Sequence, residues 1–228
     1  MFYFYNTRKP DFRSIKNLDY DAYWKLRGFS INKKLKEREK IALEAIPTLA
    51  KVLDIGCGNS RLPLALKDKG CEVKVADLSE IVLEGFGKFG IKSIQLNLEN
   101  IQLISFEESF DYIILSEVLE HTRNPEEILQ TLSAYTKQFF ITVPNSAFYR
   151  YRLHLLLFGR FFTQWVYHPS EHLRFWSHKD FMDWLEALNF EVEFTQSSNG
   201  LSILGLLLYK WLPNLFGHQI CYLIKPKK

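Results

Sequence analysis

Residues 52–58 read VLDIGCG: an apolar run of strand length, an aspartate near its end, and two glycines two residues apart. No other stretch restricts the fold as much. A strand that turns at once into glycines and then into RLPLALKDKG (61–70), which has helical periodicity and a terminal glycine, begins a βαβ unit. Glycines at such a turn let the backbone approach a ligand closely.

The alternation continues along the chain. CEVKVAD (71–77), KSIQLN (92–97), DYIILS (111–116) and QFFITVP (138–144) read as further strands, the fourth apolar enough for burial on both faces. Helices are predicted at 33–46 (ended by Pro47), at 78–90, and after Asn124-Pro125-Glu126-Glu127, where a cap, a proline and two acids mark a start. Another is predicted at 177–188, with Ser177 as cap and Asp180 three residues on. FEVEFTQ (190–196) alternates as a strand, and QICYLIK (219–225) suits an antiparallel last one. The expected fold is α/β and Rossmann-like: a mostly parallel seven-stranded sheet, helices on both faces, and an antiparallel final strand. One domain over 1–228 is expected, made of a helical lead-in (1–48), a core (49–144), an aromatic and basic cap (145–176) and the rest of the sheet (177–228).

Composition narrows the partners. A net charge of +3 gives no ground for nucleic-acid binding, and no basic stripe or stacking motif supplies one. Cys57, Cys71 and Cys221 lack metal spacing and suit a reducing cytoplasm. The start MFYFYNTRKP does not read as a signal peptide, and the apolar run Leu201–Tyr209 is far short of the ~20 residues that span a bilayer. With Trp211 and Phe216, the segment 201–216 could still form a membrane-surface or dimer patch, or simply core.

The acids indicate which ligand the glycines serve. A dinucleotide loop would carry a third glycine at Arg61, and Asp54 would sit badly beside a pyrophosphate. Asp77 ends the second strand about 20 residues on, where an acid reaches ribose hydroxyls. A ligand with a ribose and a positive charge but no phosphate fits better than NAD. In order and spacing, VLDIGCG, VKVADLS, IQLNLE, FDYIILSEVLEHTRNPEEIL and ITVPN resemble class I S-adenosylmethionine-dependent methyltransferases over about residues 45–195. That resemblance implies a cofactor site of Asp54, Gly56, Cys57 and Gly58 on the methionine side and Asp77 with Leu78 at the ribose. It adds Asn97 and Leu98 near the adenine, with Ser116 and Glu117 closing the pocket. Ser60 stands where these loops commonly carry a third glycine.

The stretch from ITVPN to SHKDF resembles MetW, a methyltransferase-like protein of methionine biosynthesis. It shares the Pro-Asn after strand five, Arg-x-x-Leu-x-Leu-Leu, and His-Leu-x-x-x-Ser-x-x-Asp-Phe. MetW proteins lack the Glu120-His121 pair. Two functions follow as expectations. The first is methyl transfer from S-adenosylmethionine to an oxygen, or in second place a nitrogen, of a small-molecule, sugar or lipid-linked acceptor. Its candidate catalytic residues are His121, as base, and Glu117. The second is a MetW-like partner or regulator of an acyltransferase in methionine biosynthesis. Tyr149, Arg150 and Arg152 are the candidate acceptor contacts.

Glu117, Glu120 and His121 fall at i, i+3 and i+4, so a helix would turn all three to one side. Their oxygen and nitrogen donors suit Mg²⁺ or Mn²⁺, with His172 as a fourth ligand and His168 as its rival. The set also resembles that of the metal-dependent 2′-O-methyltransferases of small-RNA ends.

Overall fold

The computed structural model describes residues 19–161 and 172–227. Two helices, α1 (Tyr20–Arg27) and α2 (Glu37–Ala45), precede β1 (Lys51–Ile55), α3 (Leu62–Asp68), β2 (Glu72–Asp77), α4 (Glu80–Gly87) and β3 (Lys92–Gln95). Then come β4 (Phe110–Ser116), α5 (Pro125–Leu132), β5 (Thr136–Pro144), α6 (Tyr149–Phe158), α7 (His178–Ala187) and β6 (Phe190–Gly200). The short elements β7 (Ser202–Ile203), β8 (Leu206–Leu207), α8 (Leu208–Trp211) and α9 (Pro213–Phe216) lead into β9 (Gly217–Pro226).

Seven strands form one sheet in the order β3-β2-β1-β4-β5-β9-β6. β1 to β5 pair in parallel, and β9 runs antiparallel to both β5 and β6. The expected mostly parallel sheet with its antiparallel strand is present. The period of two along each strand divides the core. Leu53, Ile55, Ile113, Leu115, Phe139, Ile141, Ile220 and Tyr222 pack with Ile128 and Leu129 of α5 and with Phe181 and Leu185 of α7. The intervening Val52, Ile114, Phe140, Cys221 and Leu223 pack with Ile41 and Ala42 of α2 and with Leu62 and Leu66 of α3. Burial on both faces is what the apolar run 111–116 requires: Ile113, Ile114 and Leu115 are fully buried.

Local chemistry sets several element ends. Ser177 Oγ accepts from Asp180 N and Asp180 Oδ2 from Ser177 N, the reciprocal start expected for α7. At α5, Pro125 occupies the first turn, but Asn124 makes no side-chain cap bond. α2 starts at Glu37 rather than 33, because Glu39 reaches back to accept from Lys36 N at 2.8 Å. All three cysteines are buried and free. Segment 201–216 lies mostly on the surface, with Leu204 and Trp211 exposed and Tyr209 buried. Among the described residues, no helix is long and apolar enough to cross a membrane.

Candidate active site

In an open parallel sheet, the place for a ligand is at the carboxyl ends of the strands, where neighbouring connections leave in opposite directions. Here that place lies between β1 and β4. A cavity of about 510 Å³ opens there, within the usual range for small-molecule sites. Asp54, Gly56, Cys57, Gly58, Asp77, Leu78, Asn97, Leu98 and Ser116, the nine residues expected to contact a cofactor, all line it. Glu117, His121 and His172 line it as well.

The turn after β1 explains its glycines. Gly56 has φ +68°, and a Cβ there would meet Val118 Cγ2 at 2.7 Å. Gly58 has φ +49° and lies against the Trp24 ring. The turn is tied to the end of β2: Gly58 N donates to Asp77 Oδ2 and Ser79 N to Asp77 Oδ1, both at 3.0 Å. Burial pushes the Asp77 carboxyl above the ordinary aspartate range, and these backbone donors pull partly the other way.

Asp54 is buried more deeply. Loss of hydration, with Glu39 and Asp77 nearby, raises its carboxyl well above the ordinary 3.8. A carboxyl raised in the folded state holds a proton that the unfolded chain releases. Stability is therefore lost as pH climbs from about 3.8 towards the folded value. Asp54→Asn is accordingly expected to raise the melting temperature at pH 7, with the gain over the parent shrinking as pH approaches 4. Calorimetric scans across that range check it. A variant no more stable than the parent at pH 7 would show that Asp54 is compensated in place.

Part of the wall comes from residues that sequence reasoning did not assign to the site. Tyr20, Tyr23 and Trp24 of α1 and Lys36, Arg38 and Glu39 at the start of α2 all line the cavity. The three aromatics fall at i, i+3 and i+4, one helix face, and that spacing was a usable signal. The segment is anchored to the glycine turn, since Asn32 N donates to Asn59 O at 2.9 Å, and to the start of α4, since Ser79 Oγ donates to Asp21 Oδ1. Ser60, at the third-glycine position, donates to Glu39 Oε1 at 2.9 Å and accepts from Leu62 N. Arg38 donates to Ser116 Oγ and Gln219 Oε1, both at 3.2 Å.

The expectation of a helical face over 117–121 is overturned. Glu117 leaves β4 with φ +59°, and only Leu119–His121 form a turn, of the tighter 3₁₀ kind. Glu117 is thereby directed to Gln219 Nε2, which donates to it at 2.9 Å, and to Thr142 Oγ1 at 3.4 Å. Glu120, His121 and His172 do come together, one donor atom from each lying within 4.8 Å of the others, and Glu117 is not in that group. The His121 and His172 rings meet edge to face with centroids 4.7 Å apart. Burial and the neighbouring His121 push His172 down to about 3, so its ring is neutral at physiological pH. His168 lies outside the described residues.

Tyr149, Arg150 and Arg152 are not among the cavity's lining residues. Arg150 Nε donates to the Tyr149 hydroxyl at 3.0 Å, and Arg152 donates to the carbonyls of Ala147 and Asn214. The arginine at 152 holds together the ends of two segments.

The family model described as "Methionine biosynthesis protein MetW" matches residues 36–224. The bifunctional methionine biosynthesis protein MetXA/MetW of Rhodopirellula baltica is 28% identical over 176 residues, 68% of this chain and 27% of that protein. The ubiquinone biosynthesis O-methyltransferase of Coxiella burnetii is 32% identical over 101 residues, 40% of this chain and 43% of that one. The matches thus span less than half the length of either curated relative. Among solved structures, an S-adenosylmethionine-dependent methyltransferase from Clostridium acetobutylicum superposes with a TM-score of 0.59 at 17% identity. That match covers 91% of this chain and 97% of the other. The fold is that of the class I methyltransferases.

Proposed function

The chain belongs to the MetW family, and on that premise we propose that it binds S-adenosylmethionine and methylates a hydroxyl of a small-molecule, sugar or lipid-linked acceptor. One observation carries the reading: the nine residues singled out for that cofactor line one cavity at the strand ends. The donor set fits the ligand's chemistry. Asp77 ends β2, Asp54 stands one residue before the end of the adjacent β1, and Glu39 is near Asp54. A cationic sulfonium beside these carboxyls favours their ionised form, against the effect of burial, and a ribose diol finds acceptors there, whereas a pyrophosphate finds neither.

Bound there, S-adenosylmethionine supplies an electrophilic methyl group. The protein's own contribution is positional. The Asp77 oxygens, oriented by Gly58 N and Ser79 N, are set to accept from ribose hydroxyls. Leu78, Leu96, Leu98 and Asn97 line the same cavity and would meet the base. Trp24 lies against Gly58 of the glycine turn, and Tyr20 and Tyr23 line the same cavity. The acceptor's proton would be handled where His121, His172 and Glu117 line the cavity. An oxygen acceptor is also in keeping with the O-methyltransferase relative.

A relative whose printed name joins MetXA to MetW supports a second reading, in which this domain binds S-adenosylmethionine and acts as partner of a methionine-biosynthesis acyltransferase. Two assays separate the readings. Titration calorimetry is expected to give micromolar or tighter binding of S-adenosylmethionine and its demethylated product, and none of NAD. Methyl release is then measured with catechol, sugar-nucleotide, polyprenol-linked and amine acceptors, beside acyltransferase activity on mixing. Turnover on a hydroxyl acceptor upholds the enzyme. Turnover on amines alone removes the oxygen assignment. No turnover, with altered acyltransferase rate, favours the partner. Binding of NAD in place of either nucleoside removes both.

A further inference from the structure

Glu120 presents the clearest unmet requirement among the described residues. Its side chain is 1% exposed, and neither carboxylate oxygen has a hydrogen-bond partner there. A buried carboxylate left that way is costly unless something compensates it. The groups beside it are two imidazoles, with the three donor atoms within 4.8 Å of one another. We infer that Glu120, His121 and His172 form a binding site for one divalent transition-metal ion.

Three features of the site support this. Ligands about 2.0–2.2 Å from a shared tetrahedral ion lie about 3.3–3.6 Å apart, so donors already within 4.8 Å of one another need side-chain adjustments of about an ångström to close the set. The two chain segments involved are already fastened together: Leu173 N and Arg174 N donate to Glu120 O at 2.7 and 3.1 Å, and Arg174 Nη2 donates to Arg123 O at 2.6 Å. His172 is thus held against the turn that carries the other two donors, and the ordering cost of assembling the site is met by the fold. Finally, His121 and His172 both reach the cavity, which leaves a path for an ion.

The donor set also selects the ion. The spacing alone suggested two carboxylates and hard ions such as Mg²⁺. With Glu117 held by Gln219 and Thr142, what remains is one carboxylate and two imidazoles. Imidazole nitrogens suit Zn²⁺, Co²⁺ and Fe²⁺, with Mn²⁺ weaker, whereas Mg²⁺ prefers oxygen and retains its water. Three protein ligands leave positions open towards the cavity. Only on the methyl-transfer reading would an acceptor hydroxyl fill one and lose its proton nearer neutral pH. A His121 nitrogen that holds an ion cannot also take that proton, so the site replaces a free imidazole base.

The test uses the full chain, stripped with chelator, in the absence of S-adenosylmethionine. Calorimetry with Zn²⁺, Mn²⁺ and Mg²⁺ is expected to show one equivalent of Zn²⁺ bound, Mn²⁺ more weakly, and no competition from millimolar Mg²⁺. Co²⁺ is expected to give visible absorption bands that Zn²⁺ abolishes. His172→Ala and Glu120→Gln should each weaken Zn²⁺ binding at least about tenfold, while His154→Ala, on the exposed helix α6, leaves it unchanged. If Glu120→Gln does not fold, the parent's Co²⁺ spectrum and the His172→Ala titration still decide. Absence of Zn²⁺ uptake, uptake unchanged by His172→Ala, or Mg²⁺ displacing Zn²⁺ overturns the inference. Binding of S-adenosylmethionine by the metal-free chain is measured separately, so failure of one reading leaves the other standing.

Discussion

Asp77→Ala is expected to weaken binding of S-adenosylmethionine and of its demethylated product by about tenfold to 150-fold. The figure is the loss of hydrogen bonds to a charged group, about 1.5–3 kcal/mol, at 1.4 kcal/mol per decade. Both nucleosides should lose affinity equally, because both present the same ribose. Asp77→Asn, which keeps one acceptor oxygen and the shape, should fall between parent and alanine variant. The substitution also removes the acceptor of Gly58 N and Ser79 N, so the glycine turn loses its tie to β2. Removing a carboxyl whose burial is itself unfavourable offsets part of that loss, and the variant should remain folded by circular dichroism. Asp54→Asn is the contrast: it should weaken S-adenosylmethionine more than the product, since only the former carries a sulfonium. Unchanged affinity in Asp77→Ala would remove the assignment of the ribose to β2.

Phe181→Ala should have the opposite signature, a large loss of stability with cofactor affinity preserved. Phe181 of α7 is fully buried, with Tyr222 at 4.6 Å, Trp184 at 5.1 Å and Trp176 at 5.3 Å between ring centroids. Truncating a buried phenylalanine typically costs about 3–5 kcal/mol, the transfer free energy plus the cavity left behind. For a chain of this size that corresponds to a melting temperature lower by about 6–20 °C. Phe181 packs under the β5–β9 half of the sheet, while Asp54 and Asp77 end β1 and β2. Calorimetry at 10–15 °C, where the variant is still folded, should give the parent's affinity. A loss below about 1 kcal/mol in urea titrations would mean that the aromatic cluster closes over the gap, and that α7 is less firmly docked than its burial implies.

Much of the architecture could be read before any coordinates, because its determinants are local. Runs such as DYIILS and QFFITVP have the length and apolarity of doubly buried strands, and Ser177 with Asp180 is a three-residue signal. That the nine positions expected to meet a cofactor share one cavity has a related reason: each lies within about three residues of the carboxyl end of a strand. Other parts depend on pairs far apart in the chain. Arg38 meets Ser116 at the end of β4, and meets Gln219 only because β9 enters the sheet beside β5, and nothing near residue 38 announces either. Glu39 reaches Ser60 across the entry to β1. The mistaken helix at 117–121 has a sharper cause. Glu117 occupies the left-handed region, uncommon for a side chain with a Cβ, and that one residue rotates the series that spacing would have aligned. The acceptor arginines were chosen by charge, and charge did not foretell that Arg152 would be used on backbone carbonyls.

The place of β9 bears on how the molecule can be made. During synthesis, β1 to β5 emerge first and can pair as they stand, leaving β5 as an open edge. Its sequence is apolar and β-branched, without a proline before Pro144, the kind of edge that recruits another strand. β6 emerges next but cannot dock, since the strand between it and β5 is Gly217–Pro226. Roughly 80 residues separate the end of β5 from the end of β9, so a ribosome adding about 5–20 residues per second leaves that edge uncovered for about 4–16 s. A chaperone that shields strand edges would act on the nascent chain in that interval, and a stop codon before residue 217 would leave a five-stranded sheet and a lone β6 with no strand to join them.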